Sequence, residues 1–206
     1  MLKCCYYEVS ELAQQELFHR ALSRLVWSER VEKVSRFRFD KDKRLCLGAG
    51  LVAEHMLREA GADDLSLALS QHGKPYLANH DNIFFNISHD GELAVCAVSD
   101  REVGVDVQKK TAYDPKVAQR VFTESEIVFI ESSKDRDETF TKLWVRKESI
   151  IKLLGVGFLC DPKKYSTIES SGKHCFSEFM TGDHYICVCS GKEQQAEFSA
   201  WSFSEK

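Results

Sequence analysis

One order of elements occurs twice in this chain, and that repetition limits the fold more than any other feature. A helical stretch, DKRLCLGAGLVAEHMLREAG, ends at Gly61 and is followed by SLALS, a GKPYL turn, FFNIS, LAVCAVS and VGVDV. A second helical stretch, TFTKLWVRKESIIKLLG, ends at Gly155 and is followed by YSTIE, a GKHCF turn, FSEFM, YICVCS and FSAWSF. Apolar residues such as Leu47 and Leu51 recur at helical spacing in the first stretch, and terminal glycines suit helix ends. The short β-branched and aromatic runs read as strands joined by turns. An offset of roughly 90–100 residues is too long for a solenoid unit and is the size of a duplicated half-domain. The expectation is an α+β fold of two similar α/β half-domains, residues 1–103 and 104–206, about a pseudo-twofold axis. A functional cleft belongs between such halves.

A hydrophobic content of 43% over 206 residues supports a real core, so wholesale disorder is excluded. No run reaches the ~18 apolar residues of a membrane span. The opening MLKCCYYEVSELAQQ lacks the apolar core and cleavage site of a signal peptide, and a cytoplasmic protein is expected. None of the eight cysteines forms a C-x-x-C pair. Cys96, Cys187 and Cys189 lie in apolar runs, where cysteine acts as a small buried hydrophobe.

A net charge of −4 gives the chain no general attraction for nucleic acid. Its basic residues are nevertheless clustered. Arg30, Lys33, Arg36, Arg38, Lys41, Lys43 and Arg44 stand against Glu32, Asp40 and Asp42 alone. A local basic surface on an acidic protein suits a small polyanion better than a long duplex.

Three further stretches carry chemistry. In Gly104-Val105-Asp106-Val107-Gln108, strand alternation puts Asp106 and Gln108 on one face. In Trp144-Val145-Arg146-Lys147-Glu148-Ser149-Ile150-Ile151-Lys152, helical spacing puts Trp144, Glu148 and Lys152 on one stripe. In Phe85-Asn86-Ile87-Ser88-His89-Asp90-Gly91, adjacent Ser88 and His89 form no dyad, but in a turn after a strand both can donate to a phosphate. Taken singly, each stretch also reads as a turn, an exposed ion pair or a connecting loop.

The ordered set N-I-S-H, G-V-D and W-x-x-K-E-S, with a lysine four residues beyond the glutamate, resembles the 4′-phosphopantetheinyl transferase family. It is most similar to the surfactin-synthetase-activating type, which has two similar halves in one chain. Gly73-Lys74-Pro75 and the basic stretch ending at Arg44 match as well. The resemblance spans roughly residues 28–160. It implies transfer of the phosphopantetheine arm of coenzyme A to a serine of an apo acyl or peptidyl carrier protein, releasing 3′,5′-ADP. Mg²⁺ is the implied cofactor, held by Asp106, Glu148 and Gln108. Glu148, Lys152 and Lys147 are the implied catalytic residues, with Glu148 able to take the serine proton. Arg30, Lys33, Arg44, Lys74, Pro75, Ser88 and His89 are the implied coenzyme A contacts.

Gln108 departs from the family's Asp-x-Glu pattern, keeping a carbonyl oxygen and losing the charge. A homologue that binds coenzyme A or a carrier without transfer is the alternative, and retention of Asp106, Glu148 and Lys152 disfavours it. Lys109 through Phe122 is the candidate carrier-docking stretch. A chain holding both halves is expected to work as a monomer, without nucleic acid or membrane.

Overall fold

The fold is taken from a computed structural model, in which residues 1–157, 160–168, 174–191 and 194–203 are described. Strand β1 (Leu2–Glu8) opens the chain, and helices α1 (Gln15–Arg24), α2 (Ser28–Arg36) and α3 (Asp40–Glu59) follow. The central residues of α3, from Leu45 to Ala53, are all buried, which marks a helix enclosed on every side. A short hairpin, β2 (Leu67–Leu69) and β3 (Pro75–Leu77), leads into β4 (Phe84–Asp90), β5 (Leu93–Ser99) and β6 (Val103–Lys109). Helices α4 (Pro115–Val121), α5 (Glu124–Ser132) and α6 (Arg136–Leu154) come next, then β7 (Cys175–Thr181), β8 (His184–Ser190) and β9 (Glu197–Trp201).

The larger sheets have the orders β4-β5-β1-β9 and β6-β8-β7. Their registers repeat. β1 pairs antiparallel with β5 from Leu2↔Ser99 to Glu8↔Leu93, and β6 pairs with β8 from Val103↔Ser190 to Lys109↔His184. Likewise, Phe84↔Ser99 to Asp90↔Leu93 in the first sheet becomes Cys175↔Ser190 to Thr181↔His184 in the second. Even the turns agree, with Gly91 at φ 62° and Gly182 at φ 56°, a left-handed conformation that glycine adopts without penalty.

The duplication is therefore present with different partners from those the sequence suggests. VGVDV is the counterpart of β1, both being the first strand of their sheet. FSAWSF instead supplies β9, which returns to the first sheet and runs parallel to β1. The β2–β3 hairpin has no counterpart among the described residues. Tyr165–Ile168, expected to begin a strand, are bends and irregular backbone, and Glu169 and the Gly172-Lys173 turn lie outside the described residues.

The first sheet packs its outer face on the helices through Cys5, Tyr7, Leu47, Leu51, Phe85 and their neighbours. Its inner face meets the second sheet through Leu2, Cys4, Val95, Val103, Val105, Val107, Ile186 and Val188. Burial on both faces accounts for the unbroken apolar run of β5, all seven residues of which are buried.

Helix α6 crosses β6 at Gly104. A Cβ there would lie 2.0 Å from the Ser149 carbonyl oxygen and 2.4 Å from the Leu153 nitrogen. Only glycine permits that approach, which brings the middle of α6 alongside Asp106. Asp135 caps the start of α6 through the Glu138 N–H, and Gly155 ends it in the left-handed conformation. No helix among the described residues is long and apolar enough to cross a membrane.

Candidate active site

Strands β4 and β6 belong to different sheets and are joined by side chains. Residues 86, 88 and 90 share one face of β4 by strand alternation. Asn86 Oδ1 accepts from the Val105 N–H at 2.9 Å. Ser88 Oγ donates to Asp106 Oδ1 at 2.8 Å. Asp90 Oδ2 accepts from Gln108 Nε2 at 2.9 Å and from the Lys109 N–H at 2.8 Å. The NISHD stretch is thus strand through to Asp90, with no turn at Ser88-His89.

Lys152 reaches this row from α6. Its Nζ lies 2.6 Å from Asp106 Oδ1 and 2.7 Å from Ser88 Oγ. Burial raises the pKa of Glu148, the negative charge of Asp106 raises it further, and Lys152 draws it partly back. The two carboxylates therefore sense each other. A cavity of about 500 Å³ opens beside them, lined by Glu148, Lys152, Trp144, Ile151, Val121, Asn86, Gly73, Pro75, Cys160 and Pro162, among others. Its walls come from the β2–β3 hairpin, from β4 through Asn86, from α4 through Val121 and from α6.

Of the basic cluster, Arg30 and Lys33 lie close enough to act on His89. Burial lowers the pKa of His89, and the positive charges of Lys152, Arg30 and Lys33 lower it further. His89 remains open to solvent at the end of β4. Arg30 donates from Nη1 to the Cys46 carbonyl at 3.1 Å, and Lys33 is exposed. Arg44 Nη2 stands 4.0 Å from Glu92 Oε1, while its buried Nε has no hydrogen-bond partner among the described residues.

Three expected residues are placed differently. Lys147 is turned away from Asp106, because consecutive helix residues point about 100° apart. Its side chain is 0% exposed and pairs with both oxygens of Glu126, at 2.8 and 2.9 Å. Lys74 donates to Glu102 Oε2 at 2.6 Å, the Leu153 carbonyl at 3.1 Å and the Val103 carbonyl at 3.2 Å. All three of its protons are committed to protein. Gln108 spends an amide proton on Asp90. Asp90 is the residue missed in the sequence, and the polar alternation Asn86, Ser88, Asp90 was the signal that could have found it.

Comparison with known proteins identifies the family. Residues 13–101 match the family profile "4′-phosphopantetheinyl transferase, N-terminal", and residues 102–202 match "4′-phosphopantetheinyl transferase superfamily". A 4′-phosphopantetheinyl transferase of Bacillus subtilis is 29% identical over 84% of this chain and 79% of its own length. The 4′-phosphopantetheinyl transferase gsp of Aneurinibacillus migulanus is 30% identical over 76% of this chain and 67% of its own. The 4′-phosphopantetheinyl transferase Sfp of Bacillus subtilis strain 168 is 34% identical over 63% and 60%. The chain belongs to the 4′-phosphopantetheinyl transferase family, in the two-half form that includes Sfp. Its enzymatic class is phosphopantetheinyl transfer.

Proposed function

We propose that the protein transfers the 4′-phosphopantetheine arm of coenzyme A to a serine of an apo acyl or peptidyl carrier protein, with Mg²⁺, releasing 3′,5′-ADP. The observation that carries this reading is the contact of Lys152 with both Asp106 and Ser88, with Glu148 on the same cavity wall. The division at residues 103 and 104 and a pseudo-twofold relation between the halves belong to the same reading, with the cavity between them as the cleft.

The donor set suits Mg²⁺. Asp106 and Glu148 supply hard anionic oxygens, and the burial and the Asp106 charge that raise the Glu148 pKa are what a divalent cation would offset. Asp90, beside Gln108, offers a further carboxylate in the same row, and Gln108 acts by orienting it. When bound, the metal supplies neutralisation of the pyrophosphate charge.

The chain's own residues do the rest. Glu148, on the cavity wall beside Lys152, takes the proton from the carrier's serine hydroxyl directly or through a water. The serine oxygen forms its bond to the β-phosphorus of coenzyme A. The bond from that phosphorus to the bridging oxygen breaks, and 3′,5′-ADP leaves with the electron pair. Lys152 faces the charge that grows on the pyrophosphate, and Ser88 steadies its ammonium. Arg30, Lys33, Arg44 and His89 form the flank for the nucleotide phosphates. Pro75 and the Lys74 backbone, not its ammonium, face the base.

Lys116 and Arg120 are exposed on α4 within the Lys109–Phe122 stretch, which suits an acidic carrier surface. One chain carries every residue named, so a monomer suffices. The test is release of 3′,5′-ADP from coenzyme A and Mg²⁺ with and without an apo carrier. Carrier-dependent release supports transfer; release independent of any carrier, or none, contradicts it.

A further inference from the structure

We infer that Glu126 and Lys147 are a positioning pair that holds residues 160–168 as one wall of the cavity beside Glu148. The inference deepens the reading above and rests on it for its kinetic consequence, though not for its structural one.

The pair is enclosed completely, with both side chains 0% exposed. Lys147 uses its ammonium on Glu126 Oε1, Glu126 Oε2 and the Tyr165 carbonyl. Glu126 Oε1 also accepts from the Thr167 N–H at 2.7 Å and from Thr167 Oγ1 at 2.6 Å. Its Oε2 accepts from the Thr123 N–H at 2.8 Å, closing the capping box of α5. Three bonds therefore run from the pair to Tyr165 and Thr167. Apart from a short 3₁₀ turn at Pro162–Lys164, the segment 160–168 has no helix and no strand partner.

Cys160 and Pro162 of this segment line the cavity with Glu148 and Lys152. The Lys147 ammonium also sits 5.4 Å from the centre of the Phe122 ring, next to Val121 on the same cavity lining. A buried ion pair gains little stability over apolar side chains of equal volume. Directed bonds to a segment without a ladder are what apolar side chains could not supply. Lys147 thus lies behind the cavity wall, one residue before Glu148, and acts through the segment it tethers.

The test replaces the pair by apolar side chains, Glu126→Leu with Lys147→Met, in the full chain, and adds Thr167→Val as a milder variant. Amide hydrogen exchange over 160–168, coenzyme A binding by calorimetry and transfer kinetics are read for each. The double variant is expected to stay folded, with exchange at 163–168 and the KM for coenzyme A each raised about tenfold and kcat within about threefold. Thr167→Val, which loses one bond, is expected to show about a threefold rise in both. Should the double variant not fold, Thr167→Val decides alone. Unchanged exchange over 160–168 in a folded variant overturns the tether. Faster exchange with unchanged coenzyme A binding overturns its link to the cavity. If the wild type transfers nothing to any carrier, the functional reading fails while the exchange result still judges the tether.

Discussion

Lys152 Nζ stands 2.6 Å from Asp106 Oδ1, so an ammonium from α6 already engages the carboxylate expected to hold the metal. Asp106 is nearly enclosed, with its side chain 8% exposed, and such a charge is costly without a partner. Lys152 supplies that partner before any cation arrives. Lys152→Met should therefore have two opposed effects. Without coenzyme A, Mg²⁺ should bind about tenfold more tightly, because its competitor is gone. Turnover should fall by about 10²–10³, the usual loss for a removed charge-stabilising donor. Calorimetric Mg²⁺ titration and single-turnover kinetics read the two effects separately.

The Asp90–Gln108 contact makes a second substitution informative. Gln108→Glu removes the amide donor and sets a carboxylate against Asp90 Oδ2, where the Nε2 now lies at 2.9 Å. Like charges at that spacing should destabilise the free protein by about 1 kcal/mol. They should also tighten substrate-free Mg²⁺ binding about tenfold if the metal sits at this row. Asp90→Asn should weaken it. Metal affinity unchanged in both variants would place the cation away from Asp90 and Gln108.

His89 should take up a proton when coenzyme A binds. Partial burial and the charges of Lys152, Arg30 and Lys33 hold its pKa below the usual imidazole value in the free protein. Phosphates arriving at this flank reverse the local field and raise it. The protonated form then binds more tightly, so affinity is full below the free-protein pKa. It is lost as pH rises through the pKa of the complex. Calorimetry in buffers of different ionisation heat measures the uptake, which His89→Gln should abolish.

Glu126 ties stability to acid. Burial alone would raise its pKa, but hydrogen bonds from Lys147, Thr167 and Thr123 prevail and leave it below the usual carboxylate value. A depressed carboxylate contributes stability above its unfolded pKa and loses that contribution as pH falls through the folded one. Glu126→Gln should cost about 3 kcal/mol near neutrality by leaving Lys147 unpaired. It should also flatten the decline in denaturant midpoint as pH falls below the ordinary glutamate value of about 4.3.

Much of this molecule was readable in advance, for reasons tied to particular residues. The hairpins of both sheets announce themselves through short apolar runs such as LAVCAVS and YICVCS bounded by turn residues, and the Trp144-Glu148-Lys152 stripe follows from helical spacing. The equivalence of β1 and β6 was hidden, because LKCCYYE and VGVDVQK share little except their pairing with β5 and β8. The family resemblance implies a catalytic Lys147, yet its side chain is buried along with those of Val145 and Ser149. Lys74 matched a motif whose side chain proved to join the β2–β3 hairpin to the end of α6. Long-range partners of this kind leave no trace in local spacing. Asp90 was obscured because Ser-His-Asp-Gly reads as a turn, whereas β4 continues to Asp90 and only Gly91 turns.

The most direct test of the central claim is the intact mass of an apo carrier protein after incubation with this protein, coenzyme A and Mg²⁺. Fatty-acid, polyketide and peptide-synthase carriers should each be tried, with Asp106→Asn as the control. A gain of one phosphopantetheine mass on a single carrier serine is predicted with the wild type, and almost none with Asp106→Asn. Unmodified carriers of all three kinds, with folded protein that still binds coenzyme A, would contradict the account and leave a coenzyme A-binding homologue in its place.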